Sequence, residues 1–302
     1  MASSNFYVFI HILYLYILTS RAENLKKLNY LSTHQTILLS FTAKMVNSDG
    51  RQLFQSVVVM RHGPRLDNFD KLWAATADRP WDPPLYSPGK SLAFDAGKKI
   101  REEVGAPIHR VFVSPFLRCL QTASETIRAL SEEPDIAGAA GNPPKIKVSV
   151  EFGLSEMLNT IAIRPKVAPK DGDFKFVISQ CETHLPPGTI DHTAEQVYKK
   201  LPEWQETQPD ARARYMEVLR ALADKYPSEN LLLITHGEGV LSVASAFMEG
   251  DIKWVEYCGY SHLRRAIPAA GESCQSFAGE DFTAQSEFGF TFHDSSAKPS
   301  PS

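Results

Sequence analysis

Arg61-His62-Gly63 directly follows the apolar run Val57-Val58-Val59-Met60, and the same grammar returns where Leu231-Leu232-Leu233-Ile234 runs into Thr235-His236-Gly237. A strand that ends in histidine and glycine offers an imidazole at the carboxyl edge of a sheet, where ligands bind in open α/β folds. The glycine lets the backbone turn sharply and approach a ligand closely. Arg61, Arg65 and Arg118 add guanidinium forks of the kind that grip phosphate. Neutral imidazole is available at physiological pH and is nucleophilic, so the chemistry these residues suit is attack on phosphorus. A single Arg-His-Gly after a strand is commonly a polar turn and nothing more. The second His-Gly and the intervening arginine lift this instance above that reading.

Between the two motifs, Arg110-Val111-Phe112-Val113-Ser114 reads as a short strand that passes through Pro115 into a helix carrying Arg118. Phosphoryl transfer spreads negative charge over three oxygens, so positioning and electrostatics carry most of its catalysis. Each hydrogen bond from a charged donor contributes about 1.5–3 kcal/mol. Three arginines and a second histidine therefore supply a large share of the stabilisation without a metal. A backbone carbonyl near the Gly63 turn would hold one ring nitrogen of His62 protonated and leave the other free.

Four segments in order resemble the histidine phosphatase superfamily, also called phosphoglycerate mutase-like. They are Val59 to Gly63, Pro84 to Gly89 with Ala93 and Gly97, Ser114 to Arg118 with Gln121-Thr122-Ala123, and Thr235 to Gly237. A fifth, Gly153-Leu154-Ser155-Glu156, is similar to the acidic motif of phosphatases related to suppressors of T-cell receptor signalling. The likeness spans roughly residues 50 to 265. It implies that His62 becomes phosphorylated, that Arg61, Arg65 and Arg118 bind phosphoryl oxygens with His236, and that Glu156 protonates the leaving oxygen. It also implies a three-layer α/β sandwich with a mostly parallel central sheet flanked by helices.

One departure is plain. The residue after Arg-His-Gly is commonly glutamate in that family, and here it is Pro64. The mutases typically follow that glutamate with serine, where this chain has Arg65, so the phosphatase branches are the better likeness. The reading is a metal-independent phosphomonoester hydrolase needing no cofactor, with a phosphorylated small molecule or phosphoprotein as substrate. A cofactor-dependent phosphoglycerate-type mutase and a noncatalytic phosphate-binding scaffold stand as alternatives. Glu151, Glu182 and Glu238 are alternative proton donors to Glu156.

The elements that must position these groups follow from pattern. Strands are expected near 56–60, 110–114, 145–150 and 231–235, with helices near 89–103, 116–131, 209–226 and 238–248. Strand alternating with helix implies a largely parallel sheet. Residues 159–190 carry Pro165, Pro169, Pro186 and Pro187 without periodicity and are expected to form an irregular lid, basic through Arg164, Lys166 and Lys170. The stretch from Ala137 to Pro144 reads as a surface connection. After about residue 267 the chain is expected to be less regular, with a disordered tail over 293–302.

The chain has 302 residues and a formal net charge of −3, which gives no general attraction to nucleic acid or anionic membrane. Pro88-Gly89-Lys90-Ser91 ends like a nucleotide-binding loop, but Pro84 stands where that motif needs its first glycine. Cys119, Cys181, Cys258 and Cys274 lack framework spacing and read as thiols of a reducing compartment. His109, His184, His192 and His262 lack the spacing of a metal site, though His184 falls in the lid. Residues 1–44 are expected to be an extension, either a targeting segment or sequence upstream of a start at Met45. Its apolar run, Phe6 to Leu18, is short for a stable membrane span and has no basic region before it. A domain over 45–292 in the cytoplasm is the main expectation, with the secretory pathway through residues 1–22 the alternative. Nothing in the sequence specifies an oligomeric state.

Overall fold

The computed structural model describes residues 53–132, 145–267 and 282–293. The expected extension over 1–44, the start at Met45, the connection from Ala137 to Pro144, Cys274 and the tail beyond His293 lie outside the described residues. The chain divides into two units, Phe54–Arg265 with Gln275–Ser302 and Met1–Leu53 with Ala266–Cys274. The first is the one described here.

Among the described residues, six strands form one sheet in the order β3-β2-β4-β1-β5-β6. They are β1 (Phe54–Arg61), β2 (Arg110–Val113), β3 (Lys147–Val150), β4 (Leu231–Thr235), β5 (Ile252–Ala266) and β6 (Thr283–Phe292). The first four are parallel: β1 and β2 both pair with β4, and β2 with β3. Their sequences are nearly continuous β-branched and leucine runs because both faces are covered. On one face, Val58, Met60, Val111, Val113, Leu232 and Ile234 pack against helices α1 (Ser87–Val104) and α2 (Leu117–Leu130). On the other, Val57, Val59, Phe112, Leu231 and Leu233 meet α3 (Gln208–Lys225) and α4 (Gly237–Phe247). The expected three-layer sandwich is the fold observed.

The helix ends carry local reasons. Pro88 opens the first turn of α1, and Gly105 closes it in the left-handed region at φ 63°. Thr207 caps α3 by accepting from the Asp210 amide. Gly97 lets α1 press on α2: a Cβ there would sit 2.8 Å from both the Ala129 Cβ and the Thr126 carbonyl oxygen.

Two findings depart from the sequence reading. Beyond residue 267 the chain is not uniformly less regular: Thr283–Phe292 forms β6 and pairs antiparallel with β5, with a register shift between Val255 and Tyr260. The segment 159–190 is irregular as expected, apart from a short helix at Ile178–Glu182. It is nevertheless pinned to the core, because Ile163, Phe174, Cys181 and Leu185 are buried in the same cluster as α1 and α2. Among the described residues no helix is long and apolar enough to cross a membrane.

Candidate active site

Parallel pairing puts the two histidines side by side. In the β1–β4 register Arg61 lies opposite Thr235, and the His62 amide donates to the Thr235 carbonyl at 3.0 Å. Both strands stop there, so both imidazoles emerge from neighbouring carboxyl ends. Their ring centres are 5.2 Å apart in an edge-on arrangement. The end of β2 brings Ser114, whose hydroxyl lies 2.8 Å from His236 Nε2. The first turn of α2 brings Arg118. After β3, a single 3-10 turn at Phe152–Leu154 brings Glu156.

The turn after β1 is tightly packed. The Gly63 amide donates to the Thr122 hydroxyl at 2.9 Å, and a Cβ on Gly63 would meet Leu85 at 3.1 Å and the Gly89 carbonyl at 3.3 Å. Pro64 finds its reason here. Its ring lies where a Cβ on Gly89 would be, 2.7 Å away, and its carbonyl accepts from the Tyr86 amide. The proline anchors the loop to the start of α1.

Two bonds set the protonation of His62. Its Nδ1 lies 2.7 Å from the Gly63 carbonyl, which can only accept, and Arg118 Nε, which can only donate, reaches its Nε2 at 3.1 Å. Nδ1 therefore carries the proton and Nε2 the lone pair. Burial, then the charges of Arg118, His236 and Arg61, push its pKa well below the usual histidine value, outweighing the Gly63 bond. His62 is neutral at neutral pH.

Arg118 is 1% exposed and stands at the centre. Its Nη2 lies 3.1 Å from Glu156 Oε2 and 3.1 Å from His236 Nδ1, while Nη1 is buried with no hydrogen-bond partner among the described residues. Glu156 Oε2 also lies 3.2 Å from His236 Nδ1. Burial raises the Glu156 pKa, but His236, Arg118 and Arg65 outweigh it and hold the carboxyl well below the ordinary range. His236 moves down to about 4, chiefly through burial and against the pull of Glu156.

The remaining arginines differ. Arg61 is buried; its Nη1 donates to the Val255 carbonyl, while Nε has no hydrogen-bond partner among the described residues. Arg65 is a forked partner of Asp67, with Nε to Oδ1 at 2.9 Å and Nη2 to Oδ2 at 2.8 Å. Its Nη1 takes no part in that fork. Arg164, from the irregular segment, binds the same carboxylate.

The alternative acids are engaged elsewhere. Glu151 accepts from the Gly153, Val197 and Tyr198 amides. Glu238 pairs with Arg212, and Glu182 lies near His192. His184 is exposed, and His262 is buried against Ser56. Cys119, Cys181 and Cys258 are buried thiols.

His62, Glu156 and His236 hold ligand atoms within 4.8 Å of one another, a spacing that could suit a divalent cation. The Arg118 guanidinium reaches all three within 3.1 Å, so a cation would have to displace a buried positive charge. The orphaned Arg118 Nη1 and Arg61 Nε call instead for an anion.

Sequence reasoning missed Trp254 and Tyr257. Their rings lie 4.5 and 4.2 Å from the Arg61 guanidinium carbon. No motif marks them.

No family profile matches the chain. Ubiquitin-associated and SH3 domain-containing protein A of Mus musculus is 30% identical over 131 residues, covering 34% of this chain and 19% of that one. The chain thus spans about a fifth of the length of that relative. Among solved structures, the ecdysone phosphate phosphatase of Bombix mori in complex with tungstate is similar over 74% of this chain and 97% of its own, with TM-score 0.50 and 20% identity. A phosphoglycerate mutase of Bacillus anthracis is similar over 70% of this chain and 88% of its own, with TM-score 0.43 and 15% identity.

Proposed function

We propose that this chain, which has the histidine phosphatase (phosphoglycerate mutase-like) fold, hydrolyses phosphomonoesters through a phosphohistidine on His62 and without a metal. The observation that carries the reading is the pair of orphaned guanidinium donors, Arg118 Nη1 and Arg61 Nε, buried beside a histidine whose Nε2 lone pair is free of a proton. Buried unpaired donors are rare and costly, and a phosphoryl group would satisfy them. The tungstate in the Bombix mori phosphatase, an oxyanion in a protein of this fold, supports the same reading.

On binding, Arg118 Nε exchanges His62 Nε2 for a phosphoryl oxygen, which frees the lone pair. Nε2 attacks phosphorus, the N–P bond forms and the P–O ester bond breaks. Arg61, Arg118 and His236 hold the equatorial oxygens, with Arg65 contributing Nη1. Glu156 delivers a proton to the leaving oxygen. In the second half, water attacks the phosphohistidine, Glu156 takes its proton, and the N–P bond breaks to release phosphate.

Incubation with a labelled phosphomonoester, rapid denaturation and a search for an acid-labile, base-stable adduct tests this. The adduct is expected in the wild type and absent in His62→Ala. No adduct, together with equal phosphate release by both proteins, would overturn the reading in favour of a noncatalytic phosphate-binding domain.

A further inference from the structure

Arg61 as a phosphate ligand leaves unexplained the two rings that enclose it. Tyr257 and Trp254 lie 4.2 and 4.5 Å from its guanidinium carbon, and Nη1 is held by the carbonyl of Val255 between them. A regular strand could not supply this arrangement, because positions 254 and 257 of β5 would face opposite sides of the sheet.

A bulge brings them together. The β5–β6 register breaks between Val255 and Tyr260. Within the break Cys258 adopts φ 59°, a left-handed conformation that residues other than glycine rarely take. Gly259 follows it because a Cβ there would strike Val255 at 2.8 Å and the Phe288 carbonyl at 2.9 Å. Bulges re-aim side chains next to active sites, and disfavoured backbone persists where its surroundings hold it. Here the Cys258 amide lies 3.3 Å from the His62 carbonyl. The Tyr257 ring centre is 5.7 Å from that of His62, and its hydroxyl accepts from Asn68 Nδ2 at 2.6 Å.

A guanidinium meets aromatic rings with its face and oxyanions with its edge, so the two contacts do not compete. Arg61 Nε is the buried edge without a partner, and it lies 3.4 Å from where a Cβ on Gly237 would stand. The missing side chain of Gly237 leaves space beside that donor.

We propose that Trp254 and Tyr257 form an aromatic clamp, built by the β5 bulge, that fixes the Arg61 guanidinium for oxyanion binding. Both are positioning residues, and the proposal rests on the phosphoryl-binding reading of the site. Tungstate affinity by titration calorimetry, with kcat and KM on an aryl phosphate, tests it. Tyr257→Leu should weaken tungstate binding about 3- to 30-fold and raise KM in parallel, the range a desolvated cation–π contact supplies. Tyr257→Phe, which keeps the ring, should restore most of that loss. Trp254→Leu, at a site 45% exposed and so safe for folding, should act in the same direction. In an Arg61→Ala background Tyr257→Leu should change nothing further.

A wild-type protein that binds no tungstate would sink the phosphoryl-site reading itself. With wild-type binding intact, the clamp is overturned if Trp254→Leu is unchanged. It is equally overturned if Tyr257→Leu weakens binding as much without Arg61 as with it. Should Tyr257→Leu fail to fold, Trp254→Leu alone decides.

Discussion

At the scale of single residues, the carbonyl of Gly63 and the guanidinium of Arg118 divide the two nitrogens of His62 between one proton and one lone pair. The consequence is a pH profile. His62 stays neutral below pH 6.5, so acid should not quench the proposed nucleophile early. His236, Arg118 and Arg65 hold Glu156 ionised, so on the proposed mechanism the proton for a poor leaving group arrives with the substrate. A phosphate monoester loses its second proton near pH ~6. For an alkyl phosphate, kcat/KM should therefore fall toward tenfold per unit above about pH 6. An aryl phosphate, whose leaving group needs no proton, should give a flatter curve. A flat profile for both would remove the carboxyl from proton delivery. Replacing Glu156 by Gln should lower turnover on the alkyl ester about 10²–10⁴-fold, the usual scale of general acid catalysis, and much less on the aryl ester. Equal loss on the two substrates would assign Glu156 a purely electrostatic role.

At the scale of elements, the site is an edge. Four parallel strands end at one level, and each hands over a residue within one turn: His62 after β1, Ser114 and Arg118 after β2, Glu156 after β3 and His236 after β4. The precision of Arg118 depends on where α2 sits, and α2 is set by contact with α1. Gly97 lies at that contact. Gly97→Ala should wedge the helices apart and cost about 1–3 kcal/mol by urea denaturation, the usual cost of overpacking, with activity reduced alongside. A neutral substitution would show that the two helices adjust freely. β5 acts differently, since it works through an irregularity. Its bulge, and not its regular pairing, brings Trp254 and Tyr257 to Arg61.

At the scale of the whole molecule, the site opposes stability in acid. His62, His236 and His262 are 2% exposed or less, and burial lowers the pKa of each. Unfolding lets them take up protons near the ordinary value of 6.5, so between the folded and unfolded values the unfolded state binds more protons. Stability then rises with pH in that window and falls as pH drops below about 6.5, by up to ~1.4 kcal/mol per pH unit per group. Urea denaturation at pH 7 and pH 5 measures it, and His262→Gln should shrink the difference without touching the proposed phosphate site. Identical midpoints at the two pH values would mean the histidines titrate alike in both states. On the proposed mechanism, the acid side that would favour turnover of alkyl esters is the side on which the fold weakens.

The amino-acid sequence alone determined the parallel core and its chemistry-bearing edge. Continuous apolar runs that stop at His-Gly or at Ser-Pro encode both the strand and the point where it releases its ligand group, and both are local facts. A short acidic motif singled out Glu156 among the carboxyls, with Glu151, Glu182 and Glu238 left open beside it. Tertiary structure decided the rest. Whether His62 and His236 face one another depends on β1 and β4 becoming neighbours across some 170 residues. That Arg65 spends two donors on Asp67 depends on a fork closing in space. The clamp on Arg61 arises from a break in strand register, which leaves no periodic trace because a bulge is an exception to period. Local pattern encodes regular hydrogen bonding; a site assembled from strand ends, a buried ion cluster and a bulge is encoded in the packing of segments distant along the chain.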